Sequence, residues 1–388
     1  MKPYTLYLKA KEGEQFKTTI LLEINRNKER RGYCMKKFMS TLLAATMVLS
    51  LAACSEKSSA PAAKESAPAS STAGTSASAA AQADTYPKGP VTITVLAGAG
   101  GVYDTGVRLL VPFVEKELGT TINVINNDGG GGWVQWNECL QANPDGYNLY
   151  TTNFPAFFSC YNPDMGYATR IDDFEFIAQN VTDPCVLFTP KDSPVQTLEQ
   201  FLDYCKKSTD AVVIGVTVAA GDDHIAYCQM VNAVPELQKT TVALNVNSFS
   251  ETKANLLGGF CEFMIGNVGD IKKTVDDCNV ICVFNDERSK MYPDIPTFNE
   301  LANGLGINAS VISGANRGII MPKGGDPAVV AKIRDAFKKA LANPELVKAY
   351  TDAGLSVCDL VGEDYRANAM KLDTNFQNVL YLLGWDKK

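Results

Sequence analysis

The sequence predicts an α/β protein of at least two domains, each built around a layer of parallel strands. Three observations carry this reading. The chain has 388 residues, more than a single core of ordinary size holds. A strand, glycine loop, helix, strand order opens the folded region, which is the grammar of a parallel α/β layer. The middle of the chain repeats that order. An apolar fraction of 46% with 20% charged residues fits a globular protein, and the net charge of −7 without a basic block argues against a nucleic-acid partner.

The N-terminal region has a different character. Residues 35–54 read MKKFMSTLLAATMVLSLAAC, with Lys36 and Lys37 as a basic start and Leu42 to Leu51 as a short apolar run. The run is too short for a comfortable membrane span and ends in small residues, as a signal peptide does. The closing LAAC resembles the lipobox of bacterial lipoproteins, which implies that Cys54 becomes the lipidated first residue and that 35–53 is a signal peptide. Residues 1–34 fit no signal peptide. Lys28 to Gly32 could be encoded by a purine-rich ribosome-binding site just before Met35, so 1–34 is read as a mis-annotated extension. Ser, Ala, Pro and Thr dominate up to residue 85, with no hydrophobic period, and 54–85 is expected to be a flexible tether.

Within the folded region, Val91 to Leu96 is a β-rich run, Thr105 to Leu118 has helical spacing, and Ile122 to Ile125 is a second strand. Trp133 to Ala142 reads as helix, Asn143 to Gly146 as a turn and Tyr147 to Thr151 as a third strand. Thr197 with Gln200 forms a capping box. Strands follow at Ala211–Val218 and Thr241–Val246, with helices from about Asp223 and over Glu251–Leu257, and Glu262–Ile265 is extended. Late in the chain, Asp326-Pro327 and Asn343-Pro344 each start a helix, and Gly354 ends the second. The eleven cysteines are scattered singly without a CxxC pair and read as small buried apolar residues.

Three small-residue loops each follow a strand and open a helix: GAGGVYDTGVR at 98–108, NNDGGGGWVQ at 126–135 and GVTVAAGDDH at 215–224. The first fails the dinucleotide pattern G-x-G-x-x-G, because Tyr103 stands at its last position. What remains is either a tight βα turn or backbone N–H groups aimed at an anion from a helix N-terminus. Open α/β sheets bind ligands at such carboxyl ends of strands. With His224 as the only histidine, a metal site or a Ser-His or Cys-His mechanism is poorly supplied, and no GxSxG occurs; no cofactor is expected.

From about Tyr86 onward the chain resembles the tripartite tricarboxylate transporter substrate-binding proteins, also called Bug receptors. The resemblance rests on several motifs in order: Gly100, Gly101, Asp104 and Arg108; Asn126 with Gly129 to Gly132; Asp145 to Tyr147; Gly215, Gly221 and His224; Leu256 to Gly259; and Pro293 to Thr297. It implies a type II periplasmic-binding-protein fold, two α/β lobes around a central cleft. Lobe 1 would comprise 86–186 and 315–388, and lobe 2 would comprise 187–314. The chain would cross between them near Asp183 to Thr189 and near Gly314 to Met321. It also implies a monomeric extracytoplasmic receptor, not an enzyme, held at the membrane by its lipid. Such a receptor delivers a carboxylate or amino acid to the large and small membrane subunits of a transporter. A solute sensor or a tethered secreted enzyme are the alternatives.

The expected ligand-binding residues are Ala99, Gly100, Gly101, Tyr103, Asp104, Gly130, Gly131, Trp133, Thr152, Asn153, Thr217, Ala219, Gly221, His224, Gly266 and Asn267. Asp104 is expected to fix its loop, position water or receive an ammonium. Asp222 and Asp223 depart from the family pattern, either capping their helix or opposing a carboxylate ligand. Trp133 could pack over an aromatic ligand or cover the lobe surface.

Overall fold

The computed structural model describes residues 85–386, so the expected leader, Cys54 and the tether to residue 84 lie outside the described residues. The fold begins with β1 (Val91–Val95), α1 (Val102–Leu118), β2 (Ile122–Asn126), α2 (Trp133–Gln141) and β3 (Asn148–Phe154). Parallel pairing on both sides of β1 orders these strands β2-β1-β3. The long strand β4 (Phe174–Pro190) leads to α3 (Leu198–Lys207), β5 (Val212–Val216), α4 (Asp222–Ala233) and the short α5 (Leu237–Thr240). Then follow β6 (Thr241–Asn245), α6 (Phe249–Leu257) and β7 (Phe263–Asn267), again parallel in the order β6-β5-β7. β8 (Cys278–Phe284), α7 (Phe298–Gly304) and β9 (Gly314–Pro322) come next, and the chain closes with α8 (Pro327–Leu341), α9 (Pro344–Asp352), α10 (Glu363–Gln377) and the turn α11 (Leu380–Leu383).

One sheet joins everything, in the order β2-β1-β3-β9-β4-β7-β5-β6, with β8 also paired to β4. β4 is the common member. Phe174 to Pro184 pair antiparallel with β9, whereas Cys185 to Pro190 pair with β7 and β8. The ladder changes partner at Pro184, a residue with no N–H to give it. The return is equally abrupt: Cys185 N–H donates to Ser313 O, and the next residue, Gly314, already pairs with Pro184.

Strand alternation assigns each side of the sheet its own core. In the first half, Ile319 and Met321 join Val107, Leu110, Val114, Ile333 and Phe337 beneath α1 and α8, while Ile320 points the other way. That second face is aromatic, with Trp133, Trp136, Phe154, Phe157, Phe158 and Phe176 packed against Tyr365 and Phe376 of α10. In the second half, Cys185 and Leu187 face one core and Val186 and Phe188 the other. Ile225 and Ile312 belong to the aromatic cluster, so the C-terminal helix seals an apolar seam between the halves.

Local signals work as their chemistry predicts. Thr197 and Gln200 make the reciprocal capping box, and Asp326 and Asn343 cap α8 and α9 with proline next in line. α1 starts at Val102, three residues before the expected Thr105, because Gly101 is already its N-cap and receives the Thr105 N–H on its carbonyl. The nine cysteines among the described residues are all buried thiols. No helix among the described residues is long and apolar enough to cross a membrane.

Candidate functional site: two matched loops and a buried arginine

The loops after β1 and β5 share one backbone design. Gly101 N–H donates to Gly98 O, and Gly221 N–H donates to Val218 O. Gly100 and Ala220 both take left-handed φ, 79° and 61°, and Ala220 is the only non-glycine among the described residues to do so. Each then gives its amide to the side chain four residues on: Gly100 N–H to Asp104 Oδ2 at 2.8 Å, and Ala220 N–H to His224 Nδ1 at 2.9 Å. Gly101 and Gly221 are the N-caps of α1 and α4, in extended backbone.

This arrangement corrects part of the expectation. The amides of Gly100, Gly101, Ala220 and Gly221 are engaged within their own loops, so the amides open to a solute are those of the first helical turns, beginning at Val102 and Asp222. Asp104 fixes its loop. Its side chain is 3% exposed and accepts from Gly100, from Arg108 Nε at 2.8 Å and from Asn126 Nδ2 at 2.9 Å. Burial alone would raise its pKa, but these donors outweigh burial and hold it at about 2.

Asp223 is the corresponding fastener of the second loop. It accepts the Thr217 N–H at 2.6 Å and the His224 N–H at 2.8 Å, and burial together with neighbouring Asp222 raises its pKa to about 7. Burial lowers the pKa of His224, keeping its imidazole the neutral acceptor that Ala220 needs. Asp222 does not cap; it accepts from Asn267 Nδ2 at 2.7 Å.

Several other expected residues have structural duties. Trp133 is buried, with one face stacked on Tyr167 at 3.7 Å between ring centroids, a near-parallel contact to Phe157, and Nε1 donating to Ser159 Oγ. It belongs to the aromatic core and is not open to a solute ring. Gly266 makes room for Phe249, whose ring would lie 2.6 Å from an added Cβ. Ala99, Gly130, Gly131 and Ala219 are exposed, Thr217 and Gly221 half-buried. The Thr152 hydroxyl hydrogen-bonds the Tyr365 hydroxyl and, with Tyr103, Thr152 lines a small void beside Arg317.

The sequence reading missed Arg317. It lies in β9 within GANRGIIMP, a strand in which every residue is buried, and it is itself only 8% exposed. Its guanidinium sits over the Tyr103 ring, Cζ 4.4 Å from the centroid. Nε and Nη1 are buried without any hydrogen-bond partner. Asn153, directly opposite in the β3–β9 register, also leaves a buried Oδ1 unpaired. A charged residue amid an apolar strand run was the available signal.

Arg317 lines a cavity of about 370 Å³, in the size range of small-molecule sites. Val102, Asp183, Asn267, Gly269 and Tyr292 are among its walls; of the expected residues, only Asn267 lines it. The cavity therefore takes Val102 and Arg317 from the first half of the sheet and Asn267 and Gly269 from the second. Asp183 Oδ1 accepts the Gly269 N–H at 2.9 Å. Burial raises the Asp183 pKa to about 6, against the lowering effects of Arg317 and that N–H and with Asp222 and Asp270 adding to the rise.

Comparison with known proteins agrees with this architecture. Residues 107–373 match the family model described as the tripartite tricarboxylate transporter family receptor. A protein of Cupriavidus necator, encoded in the gbd 5′ region, is 28% identical over 272 residues, covering 69% of this chain and 79% of its own. Among solved structures, a TctC solute binding protein from Polaromonas superimposes with a TM-score of 0.66 at 23% identity, covering 76% of this chain and 99% of its own. MatC from Rhodopseudomonas palustris, solved with bound malate, gives 0.54 at 22% identity, covering 78% and 99%. These likenesses give the two-lobed α/β binding-protein fold. With more than half of its length matched by the family model, the chain belongs to the tripartite tricarboxylate transporter receptors, extracytoplasmic solute-binding proteins and not enzymes.

Proposed function

We propose that this receptor captures a small carboxylate-bearing solute between the two halves of its sheet and presents it to the large and small membrane subunits of a tripartite transporter. One observation carries the reading: Arg317, a buried arginine with two unpartnered guanidinium nitrogens, is among the residues that line a cavity walled by both halves. An unpaired buried charge is costly, and a carboxylate supplies the acceptors it lacks. The N-terminus of α1, whose first residue Val102 lines the cavity, adds positive potential. The malate bound to MatC is a carboxylate of suitable size.

In this reading 86–186 with 315–388 form one lobe and 187–314 the other, and a solute held by both favours the closed arrangement through contacts that the open one lacks. Cys54 carries the lipid that keeps the receptor at the membrane; a Cys54→Ala protein should leave the membrane fraction, and retention there would exclude that anchor. The solute reading is tested by thermal shift with a panel of carboxylates and amino acids. A true ligand at a hundred times its Kd adds about 2.7 kcal/mol to stability. Arg317→Gln should abolish the shift. Silence from every carboxylate in the panel, or an unchanged shift in the variant, would overturn the assignment.

A further inference from the structure

The charges that line the cavity leave one exposed cation over. Lys272, Lys273 and Arg317 line it together with Asp183, Asp270 and Asp352. Lys273 pairs with Asp270 at 2.9 Å, and Asp352 pairs with Lys348, one turn back along α9, at 2.6 Å. Lys272 is exposed and has neither an ion pair nor a hydrogen bond among the described residues. Its base is fixed. The 3₁₀ turn Val268–Lys273 is closed by reciprocal capping between Asn267 and Asp270, rooted by buried Val268 and Ile271, and tied to α6 where Lys253 Nζ donates to Lys273 O at 2.9 Å. The first half of the sheet brings the C-terminal end of α9 to the same volume, which Thr351 to Gly354 line. Ala353, Gly354 and Leu355 give their amides back to Ala349, Thr351 and Tyr350, but among the described residues no donor reaches the carbonyls of Asp352 and Ala353. A cation is favoured at such an end. The two halves touch here: an added Cβ at Gly269 would lie 3.1 Å from the Gly354 carbonyl oxygen. Side chains three apart in a 3₁₀ turn eclipse, and three residues rise about 6 Å, so Lys272 stands one turn on from that contact.

We infer that Lys272 is a positioning residue for capture, a latch whose ammonium docks on the C-terminal end of α9 when the halves close, taking the free carbonyls and the Asp352 carboxylate. The inference rests on the reading of this cavity as the solute site and adds to it a residue that holds the mouth shut without touching the solute. A lysine suits the task, with three donors on a flexible four-carbon stem. Its two ends belong to different halves, so the bond exists only in the closed arrangement and favours it. Asp352 changes partner at little cost, because its pairing with Lys348 is exposed on both sides. Lys273, the neighbouring cation, is already committed to Asp270. Opposite charges in water scarcely interact beyond about 8 Å at physiological salt. The latch therefore acts after the solute has entered: it slows escape and leaves entry alone.

The first test needs neither a solute nor a variant. A zero-length carbodiimide joins an amine to a carboxylate only where the two meet, and the bond is irreversible, so brief closures accumulate. Applied to the intact protein and read by peptide mass spectrometry, it should couple Lys272 to Asp352, with the Lys273–Asp270 pair as the internal control. Coupling of the control without Lys272–Asp352 overturns the latch. The second test is kinetic, with malate, succinate and glutarate as probes on a biosensor. Lys272→Gln should raise koff about five-fold or more and leave kon within about two-fold, and Lys272→Arg should restore slow release. In an Asp352→Asn protein, Lys272→Gln should have less than about half that effect, because the two share one interaction. A fall in kon with koff unchanged makes Lys272 a steering charge, and an equal rise in koff with or without Asp352 makes it a direct solute contact; either result overturns the latch. Silence from all three probes counts against the carboxylate reading and leaves the coupling result to decide the latch.

Discussion

In the loop after β1, the amide of Gly100 ends on a carboxylate; in the loop after β5, the amide of Ala220 ends on an imidazole. The backbones are otherwise alike, with the same inner turn, the same left-handed residue and the same glycine N-cap. The loop therefore demands an acceptor at the fourth residue and leaves the charge of that acceptor open. The first loop uses a permanent anion, neutralised on the spot by Arg108 and Asn126. The second uses a neutral ring and carries its acids one and two residues earlier, in the first turn of α4, where the helix dipole favours them. The two loops share a backbone shape but differ in charge.

The largest test of this comparison removes the two acceptors. Asp104→Ala strands the Gly100 amide, the Arg108 guanidinium and the Asn126 amide together, and should cost about 3 kcal/mol. His224→Ala strands one amide and should cost about 1 to 2 kcal/mol. Urea unfolding measures both; equal losses would mean that the side chains do not anchor the loops as described.

A second test uses pH. Asp223 is raised to about 7, so the folded chain keeps a proton that the unfolded chain loses near its ordinary 3.8. Its contribution is present below that lower value and is lost as pH rises through 7. His224 runs the other way: burial lowers its pKa, and its contribution, present above 6.5, is lost as pH falls through the folded value. Asp104, held near 2, matters only as pH drops below its ordinary 3.8. Asp223→Asn should therefore flatten the loss of stability from pH 5 to 8, leaving a smaller slope from Asp183, while Asp104→Asn should leave the slope in that window untouched. Parallel slopes for wild type and Asp223→Asn would break the contrast.

The smallest effects concern the left-handed residue. Gly100→Ala should cost about 1 kcal/mol, and Ala220→Gly should return a fraction of that, because a Cβ is tolerated poorly at such φ. An added Cβ at Gly100 meets open space, so calorimetric melting should report backbone strain alone there.

Much of the parallel core was legible because its signals are local. Caps at Thr197, Asp326 and Asn343, glycine loops after strands and the helical spacing of Val107, Leu110, Val111 and Val114 need no partner to be read. The antiparallel centre was not. β4 hides a proline at residue 184 that locally argues against a strand and makes sense only where the ladder changes partner. The site split in the same way. Its glycine loops stood out in sequence, yet most of their amides turn out to serve the loops themselves. Arg317 and Asp183, two of the charged residues that line the cavity, sit far apart in the chain and are brought together by the pairing of β4 with β9.

That pairing also sets an order of events during synthesis. Everything from Cys185 to Ser313 forms a contiguous stretch whose strands and helices can meet as soon as they are made. The other half cannot: its β3 has no antiparallel neighbour until β9 emerges, after the entire inserted stretch has been translated. Closing so long an excursion is entropically slow, and a half-made sheet waits meanwhile with an open edge. The later-made portion of the chain is thus the one able to mature first, and the N-terminal portion must be kept from aggregating until its missing strand arrives.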